Sequence, residues 1–115
     1  MPYLKLTTNI AIAKEQAPTL LSRFSQLLAE ETGKPERYVM VALEGDKDML
    51  FGGNSEPLAF VECKSIGLSS QQAESLSASI SQLLAGNLQI SAERVYIEFS
   101  NCPGNLWGWN GSTFG

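Results

Sequence analysis

Proline at position 2 has the most unusual chemistry open to it. Initiator methionine is normally removed before a small residue, which leaves Pro2 as a free secondary amine. Ordinary α-amino groups titrate near ~7.7–8.0, and desolvation or a neighbouring cation lowers that value. A Pro2 amine in an apolar pocket beside a lysine is then unprotonated at neutral pH and can act as a general base. Taken alone, Met1-Pro2 also fits the plain start of an edge strand, where proline's missing donor is tolerated. Lys34, in Thr32-Gly33-Lys34-Pro35, either neutralises the carboxyl end of a helix or anchors a substrate carboxylate and depresses the Pro2 amine. Tyr96 and Glu98 alternate along Val95-Tyr96-Ile97-Glu98-Phe99 and share one strand face. There the phenol is a proton donor or a rim contact, and the carboxylate either holds a nearby amine protonated or is simply solvated.

Other chemistries are excluded by what is missing. The chain has no His, which removes Ser-His-Asp and Cys-His mechanisms. Its two cysteines, Cys63 and Cys102, form no Cys-x-x-Cys, so structural zinc and thiol redox work drop out and no metal is expected. Gly52-Gly53-Asn54-Ser55-Glu56-Pro57 lacks phosphate-loop spacing and is read as a connection. Asn110-Gly111-Ser112 fits the glycosylation tripeptide, a common chance match that is discounted. Eight Lys+Arg against twelve Asp+Glu give a net charge of -4, which disfavours nucleic acid and anionic membrane as partners. No apolar run approaches the roughly 20 residues of a membrane helix, and the amino end alternates rather than forming a leader. A cytoplasmic protein is expected.

These residues need elements to position them, and 115 residues with 43% hydrophobic composition suit one domain over 1–115. Ser25-Gln26-Leu27-Leu28-Ala29 recurs as Ser81-Gln82-Leu83-Leu84-Ala85, and Glu36-Arg37-Tyr38-Val39 matches Glu93-Arg94-Val95-Tyr96 one insertion later. The chain therefore reads as a duplicated unit, about 1–57 and 58–115. In the first, Leu20, Phe24, Leu27 and Leu28 predict a helix with Pro18 in its first turn and Gly33 at its end. In the second, Ala73, Leu76, Ile80, Leu83 and Leu84 repeat the stripe, Ser69 with Gln72 has capping-box spacing, and Gly86 is the expected stop.

Strand-like runs at Tyr3–Thr8, Tyr38–Leu43, Leu58–Lys64 and Val95–Phe99 flank the two helices. Two right-handed β-α-β crossovers then build an α/β (α+β) fold: a four-stranded sheet with both helices on one face and short edge strands. Tyr38–Leu43 is apolar on both alternating faces, so other subunits are expected to cover the second face. The aromatic tail, Trp107 to Gly115, is read as pairing with a neighbour's sheet edge.

The ordered motifs Met1-Pro2, Thr32-Gly33-Lys34-Pro35, Phe51-Gly52-Gly53-Asn54-Ser55-Glu56-Pro57, Ser65-Ile66-Gly67, Ile90 to Ile97 and Gly108 to Phe114 resemble the macrophage migration inhibitory factor family of the tautomerase superfamily, end to end. The resemblance implies a homotrimer with active sites at subunit boundaries and no cofactor. It implies keto-enol tautomerisation of phenylpyruvate-like acids and isomerisation of dopachrome analogues. Pro2 is then the base and acid, Lys34 and the Ile66 backbone contact the substrate's polar end, and Tyr96 comes from the neighbour. Tyr3, Val41, Trp107 and Phe114 shape the apolar wall.

Glu98 stands where vertebrate members usually carry asparagine, and Lys64 where histidine is usual. The mammalian Cys-x-x-Cys is replaced by Leu58-Ala59-Phe60-Val61, and the basic early-loop residue linked to chemokine-receptor mimicry by Ile12. The alternative function is a leaderless, secreted cytokine-like or receptor-binding protein whose pocket is vestigial.

Overall fold

The computed structural model describes residues 1–115. Its main elements are β1 (Tyr3–Thr8), α1 (Ala17–Thr32), β2 (Met40–Glu44), β3 (Ala59–Ile66), α2 (Ser70–Leu88) and β4 (Val95–Cys102). Two-residue strands β5 (Gly108–Trp109) and β6 (Ser112–Thr113) follow, and short 3-10 turns at Glu36–Tyr38 and Ala92–Arg94 lead into β2 and β4.

The helices begin and end for local reasons. Proline lies in the first turn of α1, and Gly33, at φ 71°, closes it in the left-handed region open to a residue without Cβ. At the start of α2, the Ser69 hydroxyl accepts the Gln72 N–H at 3.1 Å while the Gln72 carboxamide accepts the Ser69 N–H at 3.0 Å. Gly86 does not stop α2. The helix runs on to Leu88, which is buried with Ile90, and Gln89 takes the left-handed cap at φ 54°. Burial of the last turn outweighs the modest cost of a helical glycine.

The sheet order is β2-β1-β3-β4, with β1 parallel to β2, β3 parallel to β4, and β1 antiparallel to β3. Each unit is thus a β-α-β crossover, and the two join back to back. One interval separates Leu20 from Leu76, Phe24 from Ile80, Leu28 from Leu84, and the start of one 3-10 turn from the other. No insertion is needed between the repeats: the shared Glu-Arg pair lies one residue out of step, and Tyr38 holds the place of Arg94.

Both helices cover the face carrying Leu4, Leu6, Val61 and Cys63, which are fully buried with Phe24, Leu28, Leu76, Ile80 and Leu84. Truncating a ring such as Phe24 in that layer costs ~3–5 kcal/mol. The opposite face is mixed: Tyr3, Lys5 and Thr7 on β1 stand beside Phe60, Glu62 and Lys64 on β3. Met40 on β2 and Tyr96 on β4 are each 66% exposed there.

The tail folds on itself. Asn110 (φ 51°) and Gly111 (φ 79°) both adopt positive φ, the requirement of the tight turn whose twist matches a β-hairpin, and β5 pairs with β6. An Asn-Gly pair between short extended runs is the sequence signal for that turn.

Candidate active site

Pro2 is fully buried just ahead of β1, and its carbonyl accepts the Met40 N–H at 3.0 Å. With its nitrogen bonded to Met1 it carries no N–H, so this burial strands no backbone donor. It lies in a cavity of about 350 Å³, at the lower end of the range for small-molecule sites.

The walls come from three places. Tyr3 and Met40 flank Pro2 on β1 and β2, and Tyr38 and Val39 enter from the 3-10 turn. Trp107, Trp109 and Phe114 close the cavity from the tail. The Trp109 and Phe114 rings stack at 5.6 Å and 15°, and Tyr38 meets both edge-on, at 5.6 Å and 6.1 Å. The Phe114 N–H donates to the Trp107 carbonyl at 3.2 Å and the Gly104 carbonyl at 3.1 Å, fixing the hairpin against its own stem.

Two cations, Arg37 and Lys64, line the same cavity, and no Asp or Glu does. Lys64 is there because the antiparallel register sets it opposite Tyr3. Lys34, half-buried just past the α1 cap, lies close enough to act on the chain terminus. Burial, first, and the Lys34 charge, second, hold the Met1 amine below its ordinary value of 8.0.

The predicted residues separate into three groups. Pro2, Tyr3, Trp107 and Phe114 meet in the cavity, with Lys34 nearby. Ile66 ends β3 on the same face as Lys64; carrying the β1–β3 register past Tyr3 sets it beside Met1. Val41 does not reach this cavity. It pairs with buried Leu4 and packs against the helical layer, because alternation gives the pocket side of β2 to Met40.

Tyr96 and Glu98 project from β4, beyond β3 from the cavity, and both are exposed. Tyr96 lies in step with Phe60 and Thr7, so it is displaced from Tyr3 by roughly 10 Å across the sheet and roughly 13 Å along it. Its ring instead sits 4.7 Å from that of Phe51. In one chain it stands apart from Pro2.

Arg37, Tyr38, Met40 and Trp109 are pocket residues that the sequence reading did not place. The Asn-Gly turn was the available signal for Trp109, since a hairpin there folds the ring back on the chain. A different cavity, of about 690 Å³, lies along the Ala- and Ser-rich face of α2 toward Phe99, away from these groups.

A family model described as macrophage migration inhibitory factor matches residues 1–115. The macrophage migration inhibitory factor of Meriones unguiculatus is 39% identical over 116 residues, covering 99% of each chain. The homolog from Brugia malayi is 37% identical over 116 residues, covering 100% of each. Among solved structures, the macrophage migration inhibitory factor homologue from Prochlorococcus marinus superposes with a TM-score of 0.94 at 42% identity, covering 98% of this chain and 99% of that one. That from Trichinella spiralis gives 0.90 at 36%, covering 97% and 99%.

Proposed function

This chain belongs to the macrophage migration inhibitory factor family, and from that premise we propose that it is a cofactor-free keto-enol tautomerase for small aromatic oxo acids of the phenylpyruvate type, with dopachrome-type isomerisation as a related activity. The observation that carries this reading is Pro2, fully buried in an aromatic cavity beside a terminus whose amine is already held low by burial and Lys34.

Removal of Met1 makes the Pro2 nitrogen a secondary amine. Unprotonated, it takes the proton from the carbon next to the substrate carbonyl, and the electron pair moves onto the carbonyl oxygen as an enolate. Lys34 and the Ile66 backbone hold the polar end, where a cation and a dry wall favour the developing charge. Delivery of a proton to that oxygen completes the enol, and the reverse sequence returns the keto acid. One amine titrating near the working pH serves as base in one direction and acid in the other.

The site is completed in a homotrimer. Tyr96 of the partner subunit and Glu98 of the partner subunit reach the mouth of the pocket, a role that the Tyr96 of the same chain is too distant to fill.

Intact mass establishes Met1 removal, and phenylpyruvate tautomerisation against pH for wild type and Pro2→Gly tests the base. The expected result is an active wild type with an acidic limb near neutrality and a trimeric variant that has lost most turnover. Equal rates in the two proteins overturn the assignment.

A further inference from the structure

Eight Lys and Arg side chains serve an acidic protein, and most are accounted for elsewhere. Lys5 and Lys47 pair with Glu44, Arg23 donates to the Asn87 side chain, and Lys14 is exposed on a loop. Arg94 spends its guanidinium on the carbonyls of Phe51, Asn54, Glu56 and Pro57. Of the remaining three, Arg37 and Lys64 line the Pro2 cavity and Lys34 acts on the terminus beside it, and none has a carboxylate partner within the chain.

Arg37 and Arg94 make an instructive contrast. Both leave a 3-10 turn and both lie over an aromatic ring, Arg37 at 4.8 Å from the centre of Tyr38 and Arg94 at 5.1 Å from that of Phe51. Arg94 is saturated by loop oxygens. Arg37 is held by the ring and donates to no oxygen of the chain, with its planar fork of donors free at the cavity wall. Lys64 lines the same cavity from β3, and the carboxylates on its own face, Glu62 and Glu98, form no ion pair with it.

Lys34 already answers a single substrate carboxylate. Two further cations, on a cavity of about 350 Å³ whose own-chain walls carry no Asp or Glu, exceed what a monoanion needs even with Glu98 of the partner subunit at the mouth. Resting on the tautomerase reading above, we propose that Arg37 and Lys64 form a second anion anchor, making the site selective for aromatic oxo acids that carry another acidic group. Both are specificity-determining residues, and neither transfers a proton.

The test compares phenylpyruvate with its ring-carboxylated analogue, 4-carboxyphenylpyruvate, in wild type, Arg37→Gln, Lys64→Gln and the conservative Lys64→Arg. Benzoate and terephthalate serve as unreactive mono- and dianionic binding probes. Wild type is expected to favour the dianion at least tenfold in kcat/KM and in Kd. Either Gln variant should lose most of that preference, read as the ratio of the two acids in kcat/KM and in Kd, and Lys64→Arg should keep it. Turnover of both oxo acids with an unchanged dianion preference in the Gln variants overturns the second anchor and leaves the tautomerase standing. Absence of turnover with a terephthalate preference that the Gln variants abolish does the reverse. Equal Kd for the two unreactive acids in wild type, or no binding of either, also overturns the anchor. Thermal melts of each variant, matched to wild type, exclude misfolding as the cause.

Discussion

Arg94 holds Phe51 twice: its Nη1 donates to the Phe51 carbonyl at 2.9 Å, and its guanidinium carbon lies 5.1 Å over the same residue's ring. The other donors reach the carbonyls of Asn54, Glu56 and Pro57, so one side chain organises the turn-rich connection between β2 and β3. Phe51 in turn packs on Tyr96. Replacement by Arg94→Met leaves those carbonyls to water and frees the loop. We expect a loss of ~2 kcal/mol, or roughly 8 °C in melting temperature, measured at fixed protein concentration. Greater Tyr96 mobility should accompany it.

Gly86 lies within α2, and a Cβ built on it meets nothing within 4 Å. Alanine there costs no space and lowers the entropy of the unfolded chain. Gly86→Ala should therefore stabilise the protein by about 0.5–1 kcal/mol, read from denaturant unfolding with an unchanged slope.

Gly111 stands at φ 79° in the hairpin turn, next to Asn110 at φ 51°. A β-branched residue at that angle is strained by ~1–3 kcal/mol, and the hairpin is the simplest part to give way. Gly111→Val should shift tryptophan emission as Trp109 leaves Tyr38 and Phe114. It should also weaken binding in the Pro2 cavity while the main sheet persists.

Burial pushes the Cys63 thiol up to about 11 from its ordinary value of 9.0. The folded chain thus keeps its proton where the unfolded chain has released it. This contribution to stability is complete below pH 9.0 and is lost as pH rises toward about 11. Alkylation at pH 8 should label the partly exposed Cys102 first, with Cys63 reacting only as the protein unfolds.

In the chain that retains Met1, the terminal amine is depressed by burial first and by Lys34 second. Lys34→Gln should raise its pKa part of the way toward 8.0, because burial remains. Pulsed acylation against pH reads the shift. The sign for stability follows: the unfolded amine binds the proton more tightly, so this group's contribution rises as pH climbs from the folded to the unfolded value.

Local signals carried much of this fold. Pro18, Gly33 and the Ser69–Gln72 pair act within one or two helical turns, and alternation marked the four strands, so those features were legible directly. Gly86 misled because its effect is weak beside the burial of Leu88 and Ile90, which depends on distant elements. The candidate cavity was legible where the quoted motifs held its lining residues, as at Pro2 and Phe114. Lys64 became a pocket residue only through its register against Tyr3, and Val41 fell on the helical side because a run apolar on both faces has no phase of its own. Arg37 gave no periodic signal; its place depends on a short turn and the Tyr38 ring.

Pro2 enters the backbone ladder through its carbonyl alone, which receives the Met40 N–H. Cleavage of the preceding peptide bond therefore breaks no rung of the sheet. Trimming of Met1 would thus be silent to the ladder: the strands of a trimmed polypeptide would assemble with the same rungs as those of the untrimmed one.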